Sequence, residues 1–266
     1  MKFGFIGTGN MGGALARAVL KTVGDDSVLV SDRDEEKARA FAAELGATLS
    51  TNTEIAKCCD YIVLGVKPQV LEAVMSEIAP VLNSRDDKFT LISMAAGTAI
   101  GKVQRLAGRD YPVIRILPNT PAAVGEGVIL YCASEEVTDE QIAGFRSAFD
   151  KAGTVDMLAE NLIDAASAVS GCGPAFVYMF AEALADGAVR CGLPRDKALL
   201  YAAQMIKGSA ALLLESGDHP GALKDAVCSP GGSTIAGVAA LENGAFRASV
   251  INAVCDAYDK TVDLGK

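Results

Sequence analysis

The chain has 266 residues, of which 50% are hydrophobic, and a formal net charge of −9 at pH 7. This acidic sequence has no basic cluster, which argues against nucleic-acid binding because phosphate backbones are bound by concentrated Lys and Arg. Seven cysteines without a Cys-x-x-Cys spacing and a single histidine, His219, argue against a disulfide framework and against a metal site.

The apolar runs of the sequence are shorter than the ~20 residues that a membrane span needs. No signal peptide precedes the first strand pattern. We therefore expect a cytoplasmic protein that does not enter a membrane. At about 100–200 residues per domain, the chain has room for one large domain or two modest ones.

The first 160 residues alternate short apolar runs with helical patterns. This alternation predicts a parallel α/β sheet with helices on both faces. The predicted strands are Phe3–Ile6, Val28–Ser31, Tyr61–Val66, Phe89–Met94, Val113–Leu117, Val128–Cys132 and Thr154–Met157. The predicted helices between them include Met11–Thr22, Asp34–Leu45, Gln69–Val81 and Thr138–Lys151.

A glycine loop, Gly7-Thr8-Gly9-Asn10-Met11-Gly12, follows the first predicted strand and opens the first helix. In such a loop Gly7 permits a tight turn, Gly9 lets a pyrophosphate approach the backbone, and Gly12 lets the helix pack close to the strand. The helix N-terminus adds free N–H groups and a partial positive charge. Strand, loop and helix together predict dinucleotide binding, and the alternative is a glycine-rich turn without a ligand.

The second predicted strand ends at Ser31, Asp32 and Arg33. A carboxylate at this position bonds the ribose 2′-hydroxyl of NAD and repels a 2′-phosphate, whereas a guanidinium pairs with that phosphate. Because both groups are present, the residues leave the choice between NADH and NADPH open.

Two further segments follow predicted strands, at the edge where an open α/β sheet binds its ligands. These segments are Val66-Lys67-Pro68 and Met94-Ala95-Ala96-Gly97. The position of Lys67 directly after a buried strand favours a ligand contact, and the alternative is an ordinary exposed lysine.

After about Glu160 the strand pattern stops and helical patterns follow. In the first of these helices the charged residues Glu182, Asp186 and Arg190 lie four apart on one narrow stripe, and the remaining surface is apolar. A helix that is apolar nearly all round must be buried, so we expect packing against a second subunit. The alternative is a tightly packed single-chain bundle. The predicted helices are Pro174–Cys191, Arg195–Ser216, Thr234–Glu242 and Phe246–Asp263.

The segment from Leu223 to Thr234 is predicted to be a loop, and it holds Ser229-Pro-Gly-Gly-Ser-Thr234 directly before an apolar helix. Ser233 or Thr234 is a natural N-cap for that helix. The loop also presents unpaired N–H groups, which form a ready site for a carboxylate. The alternative is that the loop only caps the helix.

Over essentially its whole length the chain resembles the pyrroline-5-carboxylate reductases. Its most specific marker is Ser229-Pro-Gly-Gly-Ser-Thr-Ile-Ala-Gly237 followed by Leu241-Glu242. The other markers are Phe3-Gly-Phe-Ile-Gly-Thr-Gly-Asn-Met-Gly12, Gly65-Val-Lys-Pro68, Leu117-Pro-Asn-Thr-Pro121 with Val124-Gly-Glu-Gly127, and Ser170-Gly-Cys-Gly-Pro-Ala175.

The resemblance implies a Rossmann dinucleotide-binding domain over residues 1–160 and an all-α domain for dimerisation and substrate binding over residues 161–266. It implies a homodimer, often assembled into a decamer. The implied contacts to NADPH or NADH are Ile6, Gly7, Thr8, Gly9, Asn10, Met11, Asp32, Asn52, Val66, Lys67, Pro68, Ala95 and Ala96, and Arg33 joins them as the guanidinium beside Asp32. The implied substrate contacts are Glu160, Gly231, Gly232, Ser233 and Thr234.

Three positions depart from the family pattern. Asp32 weakens the inference of NADPH, because many members carry a small polar residue or Asn-Arg there. Ala226 stands where some members carry Asn, so one substrate contact is missing, and Cys172 replaces a common Ser between two glycines.

The implied substrate is a cyclic imine carboxylate that already carries a proton on its nitrogen when it accepts hydride. A strong general acid is then not required, and Thr234 is assigned to hydrogen-bond the ring nitrogen. One alternative is a β-hydroxyacid dehydrogenase, but such enzymes need a lysine that Ser170–Tyr178 does not offer. Another is a non-catalytic dinucleotide sensor, for which the intact loop of residues 229–234 is unexpected.

Overall fold

The computed structural model describes residues 1–24 and 27–264. Contacts divide the chain into two compact units. The first unit consists of Met1–Cys172 together with the C-terminal segment from Ala257, and the second unit, called the helical unit here, is Gly173–Asp256.

The first unit is built on an eight-stranded sheet with the order β3-β2-β1-β4-β5-β6-β7-β8. The carboxyl ends of β1, β2 and β4 coincide, because Ile6 is in register with Ser31 on one side and Leu64 on the other. The strands are β1 Phe3–Ile6, β2 Val28–Ser31, β3 Thr48–Leu49, β4 Tyr61–Leu64, β5 Thr90–Ser93, β6 Val113–Leu117, β7 Gly127–Ala133 and β8 Gly153–Met157.

Helices lie on both faces of this sheet, and two short 3-10 helices span Thr120–Val124 and Asp150–Ala152. Local capping fixes where several helices begin: the Asp34 carboxylate accepts from Lys37 N–H, and Thr138 forms a capping box with Gln141. The α-helices are α1 Asn10–Val23, α2 Glu35–Leu45, α3 Asn52–Cys58, α4 Pro68–Asn83, α5 Ile100–Ala107, α6 Asp139–Phe149 and α7 Glu160–Ser170.

The core consists of two apolar clusters, one on each face of the sheet. Leu15 of α1 and Phe149 of α6 pack with Phe3 and Phe5 on one face, whereas α3, α4 and α5 cover the other. Residues of β1 are buried throughout, as expected for a strand covered on both faces. These layers hold the carboxyl ends of β1, β2 and β4 in fixed positions.

All seven predicted strands form, with ends that shift by at most two residues. The prediction of a parallel sheet is wrong for β7, which runs antiparallel to β6, and for β8, which runs parallel to β7. Only the 3-10 helix Thr120–Val124 and a few flanking residues connect these two strands, and a parallel pair needs a crossover of a dozen or more residues. Strand β3 and helices α3, α5 and α7 are additional to the predicted elements.

The helical unit contains α8 Gly173–Arg190, α9 Arg195–Ser216, α10 Pro220–Ala226, α11 Ser233–Asn243 and the first part of α12, which spans Phe246–Leu264. The helix α10 corrects the prediction that Leu223–Thr234 is entirely loop. This helix begins with Pro220 at its first position, and the His219 side chain accepts from Gly221 N–H at 3.0 Å. The loop proper starts after Ala226.

The helical unit buries little of its apolar surface. Its buried hydrophobic residues are three alanines, Ala185, Ala198 and Ala202. Met179 and Leu214, by contrast, are 70% and 86% exposed. This exposure contradicts the alternative of a tightly packed single-chain bundle.

The stretch Glu160–Arg190 is long and apolar enough to cross a membrane by length and composition alone. This corrects the expectation that every apolar run is too short. It is weak evidence for a membrane protein, because a helix that packs on another subunit has the same composition. A turn at Gly171 and Cys172 separates α7 from α8 within it, and Asp164 in α7 pairs with Arg115 of β6.

Candidate functional site

The three glycines of the first loop have different surroundings. Gly7 has φ +103°, and a Cβ there would lie 2.5 Å from the Gly65 carbonyl oxygen. A Cβ on Gly12 would overlap the Gly7 carbonyl oxygen, whereas a Cβ on Gly9 would meet no atom within 4 Å. Gly7 and Gly12 are therefore required by packing, and Gly9 faces open space that suits a pyrophosphate.

Helix α1 begins directly after this space. Gly9 is its N-cap residue and supplies no side-chain cap, and the first helical hydrogen bond runs from Gly13 N–H to the Gly9 carbonyl at 2.8 Å. The N–H groups of Asn10, Met11 and Gly12 precede that bond and point out of the helix end. This end of α1 can bind a phosphate with backbone donors and its dipole.

The Asp32 carboxylate is tied to the glycine loop. Its Oδ2 accepts from Thr8 N–H at 2.7 Å and from the Thr8 hydroxyl at 3.0 Å, and its Oδ1 accepts from Asp34 N–H at 3.2 Å. Burial opposes ionisation most strongly, but these hydrogen bonds together outweigh it and hold the pKa of Asp32 below its usual value. Asp32 thus braces the loop, a role that the sequence analysis missed.

A cavity of about 460 Å³ lies beside the ends of β2 and β3. It brings together three residues that were predicted to contact the cofactor, Asp32, Arg33 and Asn52. The lining consists of Ser31, Asp32, Arg33, Glu35, Leu49, Ser50, Thr51, Asn52 and Glu77. The size and position of the cavity suit the adenosine half of a dinucleotide bound at the glycine loop.

Asn52 is the first residue of α3, and both polar atoms of its side-chain amide form hydrogen bonds. Its Oδ1 accepts from the Ser31 hydroxyl at 2.7 Å, and its Nδ2 donates to Glu77 Oε2 at 2.8 Å. Glu77 comes from α4, 25 positions along the chain. Glu77 was not among the predicted site residues, because no local pattern distinguishes it from any other exposed helical carboxylate.

The other predicted cofactor residues lie at the ends of β1, β4 and β5. The side chains of Ile6, Thr8 and Ala95 are buried, so they can offer a ligand only backbone atoms. Lys67 is exposed and precedes α4, with Pro68 at the first helical position, which leaves the reading of an ordinary exposed lysine open. Val66 is half-buried and Ala96 is exposed.

Glu160 begins α7 and is fixed by groups from two other elements. Its Oε1 accepts from Ile100 N–H at the start of α5, at 2.8 Å, and from Arg115 Nη1 at 3.4 Å. Arg115 lies on β6 with its side chain 4% exposed, and its Nη2 donates to Asp164 Oδ1 at 2.6 Å. The predicted substrate contact of Glu160 stays a prediction. Arg115 in the middle of the apolar strand β6 is the sequence signal that could have predicted a carboxylate partner for it.

The second predicted loop ends at α11, where the capping prediction is wrong. The N-cap is Gly232, Ser233 and Thr234 are the first two helical residues, and no side chain caps the helix. Gly231 has φ +68°, and Gly232 N–H donates to the Ser229 carbonyl at 3.0 Å, which turns the chain into the helix. Gly232 can serve as N-cap because its backbone is extended there, with φ −76° and ψ 168°.

Backbone N–H groups at the N-terminus of α11 make no helical hydrogen bond. The first helical hydrogen bond runs from Ala236 N–H to the Gly232 carbonyl at 3.4 Å, so the N–H groups of Ser233, Thr234 and Ile235 precede it. Thr234 is exposed, and its hydroxyl has no protein partner within the described part of the chain. The site can therefore bind a carboxylate with its N–H groups and a second polar atom with the Thr234 hydroxyl.

Within residues 1–24 and 27–264, His, Cys, Asp and Glu form no group of three or more that could hold a metal ion.

Burial raises the pKa of the Cys132 thiol, near Glu160, to about 11. That thiol is protonated at neutral pH and is not a nucleophile.

Comparison with protein families gives matches to both parts of the chain. Residues 160–264 match the family described as pyrroline-5-carboxylate reductase dimerisation. Residues 2–97 match the family described as NADP oxidoreductase, coenzyme F420-dependent.

Relatives match the chain over its full length. Pyrroline-5-carboxylate reductase of Escherichia coli is 40% identical over 268 aligned residues, which cover 100% of this chain and 98% of the relative. The crystal structure of a Plasmodium falciparum pyrroline carboxylate reductase with NADP bound is 34% identical with a TM-score of 0.87, covering 100% and 98% of the two chains. The structure of a Coxiella burnetii pyrroline-5-carboxylate reductase is 30% identical with a TM-score of 0.91, with the same coverage.

Proposed function

Because this chain belongs to the pyrroline-5-carboxylate reductase family, we propose that it reduces 1-pyrroline-5-carboxylate to L-proline with NADPH or NADH, the last step of proline biosynthesis. One observation carries the proposal: a single chain has an open phosphate-binding loop at Gly9 and an uncapped helix start at Ser233 and Thr234. The first suits a dinucleotide, and the second suits a small carboxylate.

The cofactor residues fit the group that they would hold. The open space at Gly9, the N–H groups at the start of α1 and the cavity lined by Asp32, Arg33 and Asn52 suit pyrophosphate and adenosine. Bound there, NADPH or NADH supplies a hydride. The backbone from Val66 to Pro68 and at Ala95 and Ala96 would position the nicotinamide half, since these segments end the neighbouring strands β4 and β5.

Residues of the second loop would hold the substrate. The N–H groups after Gly231 and Gly232, above all those of Ser233 and Thr234, would bind its carboxylate, and the Thr234 hydroxyl would bond the ring nitrogen. Protonation of that nitrogen makes C5 electron-poor, so the protein needs to orient the ring rather than supply a strong acid. Glu160 would contribute a further contact through the carboxylate oxygen, Oε2, that its bonds to Ile100 and Arg115 leave unused.

We assign residues 1–160 to the Rossmann domain and residues 161–266 to the domain for dimerisation and substrate binding. A homodimer would bury the exposed apolar faces of the helical unit, and a decamer would be the further assembly. An apolar groove of about 420 Å³ between α8, α11 and α12 supports this proposal, with Met179, Ala183 and Val250 in its lining. We place the protein in the cytoplasm.

Spectrophotometric assay of the purified full-length protein tests the activity. Addition of 1-pyrroline-5-carboxylate should cause loss of the reduced nicotinamide absorbance with NADPH, NADH or both, and L-proline should accumulate in equal amount. Turnover of a β-hydroxyacid with NADP, without turnover of the imine, would contradict the proposal.

A further inference from the structure

The side chains that line the cavity beside β2 and β3 carry more negative than positive charge, which disfavours a 2′-phosphate. Asp32, Glu35 and Glu77 line it together with one guanidinium, that of Arg33. Two of these carboxylates are engaged elsewhere, because Asp32 braces the glycine loop and Glu35 accepts from Arg39 at 2.6 Å. The third, Glu77, has no cation partner in the described structure.

The position of the Glu77 carboxylate is set by Asn52. The Asn52 amide is anchored because Ser31 donates to its Oδ1, which leaves Nδ2 facing Glu77 at 2.8 Å. Glu77 is an exposed residue of α4, yet this hydrogen bond holds its carboxylate against the cavity wall. The same bond takes up one of the two Nδ2 hydrogens, which reduces the donor capacity that Asn52 could offer a phosphate.

We infer that Glu77 is a specificity-determining residue of the cofactor site, which favours a ribose 2′-hydroxyl over a 2′-phosphate. A carboxylate accepts a hydrogen bond from a hydroxyl, whereas it repels a phosphate monoester that carries nearly two negative charges at pH 7. Arg33 acts in the opposite direction, and Glu77 offsets it. The inference rests on the proposed function only in that the dinucleotide binds at this cavity.

Binding of two small probes to the full-length protein isolates this effect from catalysis. The probes are adenosine 2′,5′-bisphosphate and 5′-AMP, titrated by calorimetry. The variant Glu77→Gln removes the charge and keeps an oxygen that can accept from Asn52. We expect it to raise affinity for the bisphosphate by about three- to ten-fold, as one exposed charge near a dianion predicts. Affinity for 5′-AMP should stay within about two-fold, because AMP lacks the 2′-phosphate.

Glu72→Gln is the matched control, since Glu72 is an exposed residue of the same helix α4 and lies outside the cavity lining. This variant should leave both affinities at the wild-type value. The gain of Glu77→Gln should shrink as ionic strength rises, because salt screens exposed charges. The ratio of kcat/KM for NADPH to that for NADH should increase in the same variant.

The inference is overturned if Glu77→Gln leaves the ratio of the two probe affinities unchanged, or if both affinities rise together. Failure of the proposed function has a different signature. A wild-type protein that binds both probes but does not reduce the imine would contradict the reductase assignment, while the probe ratio would still support the role of Glu77. A wild-type protein that binds neither probe would overturn both.

Discussion

The two units of the chain differ in how far they bury their apolar side chains. In the first unit, Phe3, Phe5 and Leu15 are fully buried between the sheet and its helices. In the helical unit, Met179 and Leu214 are mostly exposed, although both are large apolar side chains. The first unit thus completes its core from its own residues, whereas the helical unit leaves apolar surface exposed that we propose a second subunit covers.

The units differ equally in how their functional polar groups are held. In the first unit, Asp32 is fixed by Thr8, and Asn52 is fixed by Ser31 and Glu77. In the helical unit, the Thr234 hydroxyl is left without a protein partner in the described structure. The proposed cofactor site is therefore preorganised by hydrogen bonds within the protein, whereas the proposed substrate loop leaves the Thr234 hydroxyl available to a ligand.

Charge in the apolar groove gives the largest expected effect. The variant Ala183→Glu would place a carboxylate in the groove between α8 and α12, where dimerisation would have to desolvate it without a partner, at a cost of several kcal/mol. Light scattering should show a dimer or larger assembly for the wild type and a monomer or aggregate for the variant. Ala43→Glu, on an exposed position of α2, should change neither. A wild type that is monomeric at micromolar concentration would contradict the proposal that a second subunit covers the apolar surface of the helical unit.

Substitution of Gly9 tests whether the first unit is preorganised around open space. Gly9→Val should weaken NADPH and NADH binding by about 100-fold or more, because the side chain would fill the space proposed for the pyrophosphate. The melting temperature should hold, because a Cβ on Gly9 meets no protein atom within 4 Å. Gly12→Val should instead destabilise the fold, since its Cβ overlaps the Gly7 carbonyl oxygen. Unchanged affinity in Gly9→Val would remove Gly9 from the site.

Removal of the Thr234 hydroxyl tests whether that group forms a hydrogen bond to the substrate. Thr234→Ala should lower kcat/KM for the imine by about ten-fold or more, since a hydrogen bond to a charged group contributes ~1.5–3 kcal/mol. Cofactor affinity should hardly change, and Thr234→Ser should retain most activity. The melting temperature should stay the same because Thr234 caps nothing. A destabilised variant with near-normal kinetics would show that the hydroxyl has only a structural role.

Neutralisation of Asp32 gives the smallest effect and distinguishes two roles for that residue. As a brace of the glycine loop, Asp32→Asn should weaken NADPH and NADH binding alike by about three- to ten-fold, as the loss of one charged hydrogen-bond network predicts. As a ribose contact, it should instead shift preference toward NADPH. Parallel titrations with both cofactors separate the two outcomes.

The pH dependence of binding provides a second test of the brace. The pKa of Asp32 lies below its usual value, so the carboxylate and its bonds to Thr8 are intact above the usual range and are lost as pH falls through the lowered pKa. Wild-type cofactor affinity should therefore decline at acid pH. The decline should be smaller in Asp32→Asn, and an identical profile in both proteins would contradict the brace.

Local signals in the sequence were sufficient for much of the fold. Strand β1, the glycine loop and α1 follow from an apolar run, three spaced glycines and a helical period, all within about twenty residues. The same holds for α9, whose predicted ends coincide with those observed, because Pro194 precedes it and Gly217 ends it. The two-residue strand β3 and the short helix α10 were missed, because segments this short are not long enough to show a hydrophobic periodicity.

The sequence by itself thus determined the class of protein, the position of the glycine loop and the apolar character of the later helices. Only the tertiary structure decided which polar groups meet: Asp32 with Thr8, Asn52 with Glu77, and Arg115 with Glu160. The partners in these pairs lie 24, 25 and 45 positions apart. The reversed direction of β7, by contrast, follows from the short connection after β6, whose length the sequence already contained. Periodicity and capping describe neighbours along the chain, whereas these contacts arise when packing of the sheet brings distant strand and helix ends together.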